Sequence, residues 1–324
     1  MILIISNKQD YTADYLLLEL QRRQVDYIRF NTEDFPGKVQ VVWKMNNSHL
    51  NGYFRFPSSR VNFDEIKSIW YRRPAYPILQ GIKEAATEKF IIDESVSTLE
   101  GIWRCLKCYW VSNPDSIRKA EFKLYQLNVA QQIGFKIPST LLTNIPSAAS
   151  DFYNIQEEII YKPISIGRLE RNDTIGLIFT NPVDAAKAKR FSNVRHSPAL
   201  FQKLIHKALD IRVNVIGNKV FAVEIHSQKD SQTKYDWRRG EISKIKHKLH
   251  ILPSDIENLC YKLVRDLNLE FGAIDLVLTP DGEYIFLEIN PNGQWAWIQQ
   301  LCPDILLREA LADLLINSGN NKDD

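Results

Sequence analysis

Three oxygen-bearing side chains are spaced so that one face of a β-hairpin can hold them. Residues 273–290 form two alternating hydrophobic runs around a Pro-Asp-Gly turn, which is a hairpin signal. Asp275 then lies directly opposite Glu288, and Asn290 follows on the same face. Opposed carboxylates repel unless a cation lies between them, and these oxygens suit a hard divalent ion. The alternative is a solvated strand pair, but Asn290 extends the oxygen row, so the pattern favours a metal site.

The register of this hairpin follows from its hydrophobic residues, because a slip of one position would turn all of them towards solvent. Pro291 favours an extended backbone at Asn290 and so holds that residue in place. The expected core-facing pairs are Ile274 with Ile289, Leu276 with Leu287, and Leu278 with Ile285.

A second hairpin places an arginine opposite a carboxylate. Residues 211–225 alternate around Gly-Asn-Lys, which predicts a three-residue loop and sets Arg212 across from Glu224. Two interpretations stay open: a cross-strand ion pair, or an arginine whose planar fork binds a carboxylate or phosphate of a ligand. The expected core-facing pairs are Ile211 with Ile225, Val213 with Val223, and Val215 with Phe221.

Two lysines are candidates for binding phosphates. A metal held by few protein ligands typically binds together with phosphates, which suits Mg²⁺. Lys162 ends an apolar strand just before Pro163, where burying an unpaired ammonium would be costly. Lys123 lies in a predicted helix and, taken alone, is typical of a surface residue. The polar loop 165–176 contains Gly167 and could lend backbone N–H groups to phosphate.

The composition excludes several classes of protein. The 324 residues are 44% hydrophobic and 25% charged, with a net charge of +2, so no bulk field favours nucleic acid or membrane. No apolar run approaches a membrane span, and no secretory signal is evident, which predicts a cytoplasmic protein. Cys105 and Cys108 form one CxxC on a predicted helix. A lone CxxC is weak evidence, so we expect no metal or redox role for it.

The remaining pattern predicts an α/β chain. The first 30 residues read as strand, helix and strand, which is typical of a parallel sheet. A long helix is predicted from about Ala85 to Tyr109, and the turn at 112–116 is the best candidate for a first boundary. A second helix is predicted at 117–134, with Gly134 as its C-terminal cap.

These residues, in this order, resemble the ATP-grasp superfamily of carboxylate–amine ligases, most closely its microviridin-type (graspetide) peptide ligases. The similar segments span nearly the whole chain, and the last is diagnostic in combination with DWR and YRRP. They are WYRRP (70–74), the stretch 123–144, YKP (161–163), the stretch 201–217, DWR (236–238), FGAIDLVL (271–278) and EINPNGQW (288–295).

The resemblance implies a three-domain ATP-grasp fold, with ATP between the last two domains. Its implied divisions are an N-terminal pre-ATP-grasp domain (1–114), a central subdomain (115–198) and a C-terminal subdomain with a Mg²⁺ site (199–324). By position, Lys123 and Lys162 correspond to the nucleotide lysines, and Asp275, Glu288 and Asn290 to the Mg²⁺ ligands. The other implied site residues are Ser165 and Gly167 of the loop, the adenine-contacting hinge residues Gln202, Lys203, Leu204 and Ile205, and the catalytic residues Asp210, Arg212 and Arg238.

Two departures from the family pattern accompany this match. Lys203 stands where many ATP-grasp enzymes have an acid, and the loop after Ser165 is poorer in glycine than is common. Backbone contacts at the hinge would survive the first departure.

The resemblance also implies a substrate. We expect a homodimeric peptide macrocyclase acting on a ribosomal precursor whose core holds acidic and Ser, Thr or Lys residues. The segments 226–237 and 187–196 are candidates for binding its leader. Two rivals stay open: an ATP-grasp ligase that joins a free amino acid to a protein or small amine, and a non-catalytic module that binds nucleotide or acidic peptide.

Overall fold

A computed structural model of the chain describes residues 1–47, 50–165, 167–171 and 174–317. The chain opens with the predicted β-α-β unit, whose first strand is buried along its whole length and pairs in parallel with two neighbours. A small antiparallel sheet of three strands lies beside it. The elements of this part are β1 (Ile2–Ser6), α1 (Tyr11–Arg22), β2 (Tyr27–Asn31), β3 (Gln40–Met45), β4 (Leu50–Arg55), β5 (Arg60–Asn62), β6 (Ser68–Tyr71), α2 (Ala85–Cys105) and β7 (Tyr109–Val111).

The long helix is shorter than predicted. It ends at Cys105, because Tyr109 already begins β7, which completes the parallel sheet in the order β2-β1-β6-β7. Cys105 is exposed, whereas Cys108 is buried beyond the end of the helix. The prediction that both thiols lie on one helix is therefore wrong.

The predicted helix at 117–134 is two helices. Phe122 has an extended backbone, so α3 (Pro114–Ala120) ends before it and α4 (Lys123–Ile133) begins after it. Gly134 ends α4 in the left-handed conformation, as predicted. The break brings Lys123 to the first turn of a helix instead of its middle.

A four-stranded antiparallel sheet follows, in the order β12-β9-β13-β8. Its last strand in sequence begins at Ala199 and lies inside the sheet, where it pairs with the strand at 140–143 on one side and the strand at 159–162 on the other. The sheet therefore includes a strand from beyond the predicted boundary at residue 198. The elements are β8 (Thr140–Thr143), α5 (Pro146–Gln156), β9 (Ile159–Lys162), β10 (Arg168–Arg171), β11 (Thr174–Leu177), β12 (Asn181–Pro182), α6 (Ala185–Ala188) and β13 (Ala199–Lys203).

The C-terminal part is a five-stranded antiparallel sheet in the order β16-β15-β14-β17-β18. One face packs on two helices and forms a large core, and the other face carries polar groups at one end. No helix among the described residues has both the length and the apolar character to cross a bilayer. The elements are β14 (Leu209–Ile216), β15 (Lys219–Ile225), β16 (His247–His250), α7 (Ser254–Asp266), β17 (Phe271–Leu278), β18 (Tyr284–Asn290), α8 (Ala296–Leu301) and α9 (Leu307–Asn317).

The register predicted for β14 and β15 is wrong by one residue. Ile216 pairs with Lys219, so the loop has two residues and begins with Gly217 at φ 56°. Arg212 consequently lies opposite Val223 and not opposite Glu224. Every residue of β14 after its first is buried, so alternation of apolar residues alone does not select one register.

The register of β17 and β18 is confirmed at one end only. Ile274 pairs with Ile289, and Asp275 lies opposite Glu288, as predicted. A β-bulge follows Asp275, so the next pair is Leu276 with Phe286. Each pair predicted beyond that point is shifted by one residue, which turns Phe286 into the core.

Candidate active site

A row of charged side chains crosses three neighbouring strands on the polar face of the C-terminal sheet. Arg212 of β14 lies opposite Asp275 of β17, and Asp275 lies opposite Glu288 of β18. Nη1 of Arg212 donates to Oδ1 of Asp275 over 2.9 Å. Because these strands also form part of the hydrophobic core, the row stands on a rigid support.

Glu288 is surrounded by cations. Lys123 Nζ lies 3.5 Å from one carboxylate oxygen, and Arg238 Nη1 lies 3.4 Å from the other. Burial opposes ionisation, but Lys123, Arg238 and Lys162 together hold the pKa of Glu288 at about 2. Burial raises the pKa of Asp275, and Arg212 partly offsets that rise.

The donor set fits a hard divalent cation. Two facing carboxylates and the amide oxygen of Asn290, which is half-buried on the same face, are the oxygen ligands that Mg²⁺ takes. Among the described residues, no three His, Cys, Asp or Glu side chains are grouped to hold a metal. The predicted set has only two carboxylates and an amide, which is the number expected when phosphates complete the shell.

Both predicted lysines point towards this row. The break before α4 lets Lys123 donate to the carbonyl of Pro163 over 3.0 Å while it approaches Glu288. Lys162 is buried at the end of β9, and burial lowers its pKa, an effect that Glu288 partly opposes. The structure thus brings two ammonium groups from separate elements to one carboxylate.

Arg238 and Asp210 differ in how they meet the site. Arg238 donates two hydrogen bonds to Asp236, at 2.8 and 2.9 Å, and this ion pair aims its guanidinium at Glu288. Asp210 shares a strand face with Arg212 but binds Lys207 at 2.6 Å and the hydroxyl of Ser227. Through these two contacts Asp210 holds the neighbouring segments together, and neither contact involves the charged row.

The hinge residues lie at and just beyond the end of β13, an inner strand of the central sheet, and the loop follows β9. Gln202 is buried and donates to Thr140, whereas the side chain of Lys203 is exposed and Leu204 and Ile205 are half-buried. The backbone N–H groups of Lys203 and Leu204 already have carbonyl partners, at 2.9 Å each.

Within the loop, Ser165 is exposed, and Gly167 is buried with a φ of +67°. A Cβ at Gly167 would lie 2.8 Å from the carbonyl of Ile178, so only glycine fits there. Three other predicted loop residues, Ile166, Asn172 and Asp173, lie outside the described residues.

Sequence reasoning gave no role to the buried arginine of the N-terminal part. Arg72 donates to the carbonyl of Asn292 and, over 2.8 Å, to the side chain of Gln294. It also pairs with the buried Asp10 at 3.5 Å. Arg72 thereby holds the turn that follows the oxygen row. The only sequence signal for Arg72 was the YRRP motif, which does not indicate that this arginine contacts Asn292 and Gln294.

Comparisons with known proteins identify the family of the chain. A family model described as an MvdD pre-ATP grasp domain matches residues 1–118. A second, described as a RimK-like ATP-grasp domain, matches residues 120–307, which is more than half of the chain. The chain belongs to the ATP-grasp ligases.

Solved structures resemble this ATP-grasp ligase along nearly its whole length, which confirms the predicted fold. A RiPP-associated ATP-grasp ligase from Chryseobacterium gregarium, in complex with ADP and a leader and core peptide, is 30% identical, with a TM-score of 0.91; the match covers 98% of this chain and 96% of that chain. Macrocyclase MdnC from Microcystis aeruginosa, bound with precursor peptide MdnA, is 28% identical with a TM-score of 0.87, over 98% of this chain and all of that chain (100%).

Among curated proteins, a probable α-L-glutamate ligase from Mannheimia succiniciproducens is 27% identical over 187 residues, which is 56% of this chain and 59% of the relative. The ATP-grasp ligase described here aligns with 38% to 59% of the length of the curated relatives that it matches.

Proposed function

We propose that the protein uses ATP and Mg²⁺ to form side-chain ester or amide crosslinks in a ribosomally made precursor peptide. The observation that carries the proposal is the charged row, in which two facing carboxylates are flanked by two lysines and two arginines. The proposal is also supported by the similarity of this chain to a RiPP-associated ATP-grasp ligase whose structure contains ADP with a leader and core peptide.

The proposed reaction has two steps. A carboxylate oxygen of a Glu or Asp in the peptide attacks the γ-phosphorus of ATP, the bond to the bridging oxygen breaks, and ADP leaves. A Ser or Thr hydroxyl, or a Lys amine, then attacks the acyl carbon and expels inorganic phosphate, and its proton passes to solvent or phosphate. The peptide loses one water for each bond formed.

The residues of the row would divide this work. Asp275, Glu288 and Asn290 would hold Mg²⁺, which neutralises charge on the transferred phosphoryl group. Lys123 and Lys162 would bind the phosphates. Asn290 would also lie close enough to the nucleotide to complete that binding.

Arg212, in its buried position, would orient the acceptor carboxylate and stabilise the developing oxyanion. Arg238 is a second candidate for contact with acidic substrate groups. Asp210 would act by holding the segments around Arg212. The loop residues Ser165 and Gly167 would cover the phosphates, and the hinge from Gln202 through Lys203 and Leu204 to Ile205 would contact adenine.

The leader would bind in a cavity between the central sheet and the segment before Arg238. A cavity of about 440 Å³ is lined by Lys187, Ser231, Gln232, Tyr235 and Arg239. The two segments predicted to bind the leader therefore meet at one opening. Its two cations suit an acidic or carboxylate-bearing stretch of peptide.

We also propose the domain divisions 1–114, 115–198 and 199–324, and a homodimer.

The test combines peptide crosslinking with a matched pair of glutamate variants. ADP release that depends on a leader-bearing peptide, with loss of one water per bond by mass spectrometry, is the expected result. Glu288→Gln and Asn290→Ala should abolish it. Glu224→Gln is the control, because that side chain is 16% exposed, close to the 14% of Glu288, but lies on the opposite face of the same sheet. Crosslinking at the full rate in both site variants would contradict the assignment of Glu288 and Asn290 as Mg²⁺ ligands.

A second candidate is ligation of a free amino acid to a protein or small amine, which the similarity to a probable α-L-glutamate ligase favours. ATP consumption that requires free glutamate, and proceeds without a leader-bearing peptide, would select this function over crosslinking.

A further inference from the structure

A buried glutamine on α4 binds the backbone of the strand that carries two of the proposed metal ligands. Gln126 is 4% exposed. Its Nε2 donates to the carbonyl of Ile289 over 2.8 Å, and its Oε1 accepts from the N–H of Ile289 over 3.1 Å. The same Nε2 donates to the carbonyl of Ala120 over 2.6 Å. Three of the four hydrogen bonds that a carboxamide can make are therefore satisfied by backbone groups.

The glutamine replaces a missing neighbouring strand. β18 is the edge strand of its sheet, so the N–H and C=O groups along its outer side have no strand to pair with. Further along, the carbonyl of Lys136 accepts from the N–H of Phe286 over 2.9 Å. At Ile289 the partner is a side chain, which pairs with both backbone groups as a residue of an adjacent strand would.

This contact lies between the two ligands. Ile289 points into the core, whereas Glu288 and Asn290 on either side point to the polar face. Its N–H belongs to the peptide plane shared with Glu288, and its carbonyl belongs to the plane shared with Asn290. Because each plane is rigid, fixing both groups fixes the Cα atoms of both ligands.

The helix that supplies the glutamine also supplies a phosphate lysine. Lys123 and Gln126 are three residues apart on α4 and so lie on the same side of it. The hydrogen bonds of Gln126 therefore tie the helix that carries Lys123 to the strand that carries Glu288, and the charged groups of these two residues lie 3.5 Å apart. One buried carboxamide links the oxygen ligands and the first ammonium group into a single unit.

We propose that Gln126 is a positioning residue for the metal and phosphate site, a role that rests on the proposed function above. It touches neither metal nor nucleotide; it holds Glu288, Asn290 and Lys123 at the spacing that a metal–nucleotide complex requires. Supporting groups of this kind typically change metal affinity by about 10–100-fold when they are removed.

The test uses Mn²⁺ with ADP as the probe and binding as the readout. Gln126→Met keeps the length of the side chain and removes the carboxamide. We expect the dissociation constant for Mn²⁺–ADP, measured by calorimetry and by electron paramagnetic resonance, to rise about tenfold. Hydrogen exchange across residues 284–290 of the free protein should become faster. If Gln126→Met does not fold, Gln126→Asn replaces it in the same measurements, because the carboxamide of asparagine is one methylene shorter.

The control is another buried glutamine. Gln299 is 5% exposed, donates to Glu309 over 2.7 Å and accepts from the N–H of Arg308, also over 2.7 Å. Gln299→Met should lower stability while leaving Mn²⁺–ADP affinity and exchange at 284–290 unchanged. Equal affinity in Gln126→Met and the unsubstituted protein would overturn the role of Gln126 alone. Failure of the unsubstituted protein to bind Mn²⁺–ADP would overturn the proposed function and, with it, this role.

Discussion

Arg212 and Asp275 face each other on adjacent strands, with Nη1 of the arginine 2.9 Å from Oδ1 of the carboxylate. Both side chains are nearly buried. In the proposed mechanism, one binds the acceptor carboxylate and the other binds the metal. Their contact therefore puts the substrate group and the phosphoryl group on neighbouring positions of one sheet.

Replacing Arg212 by lysine should affect the chemical step more than nucleotide binding. The substitution keeps the charge but removes the planar fork. We expect kcat to fall by about 100-fold, as is typical for loss of one oxyanion donor, with little change in KM for ATP. Steady-state ADP release at varied ATP would measure both. Arg265→Lys is the control, since that arginine pairs with Glu270 at the surface. A large rise in KM at constant kcat would contradict the assignment.

Removing the Arg72 side chain should destabilise the whole protein. Arg72→Met leaves the buried carboxylate of Asp10 without its cation, and breaking a buried ion pair costs about 3–5 kcal/mol. Urea unfolding would measure the loss. Arg73→Met is the control, at the next residue of the chain. The side chain of Arg73 is exposed and donates one 3.2 Å hydrogen bond to Asn292. Its loss should therefore cost less than about 1 kcal/mol of unfolding free energy. Equal losses in the two variants would show that the buried pair is not important for stability.

The turn after the oxygen row should tolerate no side chain at Gly293. A Cβ there would lie 2.4 Å from the Cβ of Ala273 and 2.7 Å from Nη2 of Arg212. Gly293→Ala should therefore displace the turn and lower both stability and crosslinking rate. Gly101→Ala is the counterpart: it lies inside α2 with nothing within 4 Å of the added Cβ. That change should stabilise the protein by about 0.5–1 kcal/mol. Thermal and urea unfolding of both variants provide the check.

Acid should remove a contribution to stability made by Glu19. Hydrogen bonds from Arg22 lower its pKa to about 2, against the cost of burial and with help from Arg23. Because the pKa is lower in the folded state, the stabilisation is complete above the ordinary pKa of about 4.5 and is lost as pH falls towards 2.

The measurement compares unfolding free energies of the unsubstituted protein and Glu19→Gln over this pH range. The difference should be roughly 2 kcal/mol at neutral pH, discounted for the exposure of Arg22, and should shrink below pH 4. Glu94→Gln, an exposed position on α2, should show no such change. A difference that stays constant with pH would rule out the ionised carboxylate as its source.

The sequence predicted the pairing of Asp275 with Glu288 better than it predicted the other strand registers. The pairing of Asp275 with Glu288 could be predicted, because one face of that hairpin is continuously apolar up to Ile274 and Ile289. The β-bulge after Asp275 could not be predicted, because no glycine or proline marks its position in the sequence. β14 is buried on both faces, so its apolar pattern did not distinguish the observed register from one shifted by a residue.

Contacts between distant parts of the chain left no local signal. Arg72 and Asn292 are 220 residues apart in sequence, and nothing near either residue indicates the other. The break between α3 and α4 was also missed, since Glu121 and Phe122 are ordinary residues within a helical pattern. That break matters because it turns Lys123 towards the site.

The C-terminal sheet separates two kinds of physical constraint on its side chains. Packing holds one face of the sheet, which carries Ile211, Val213 and Ile274. Arg212 and Asp275 alternate with these residues and lie on the polar face. Under the proposed function, a substitution next to Arg212 and Asp275 on the polar face would change the surroundings of the substrate without disturbing the apolar packing behind it. Descendants of this chain could therefore acquire new crosslinking patterns through a few changes of side chain, while the same buried layer continues to guide folding.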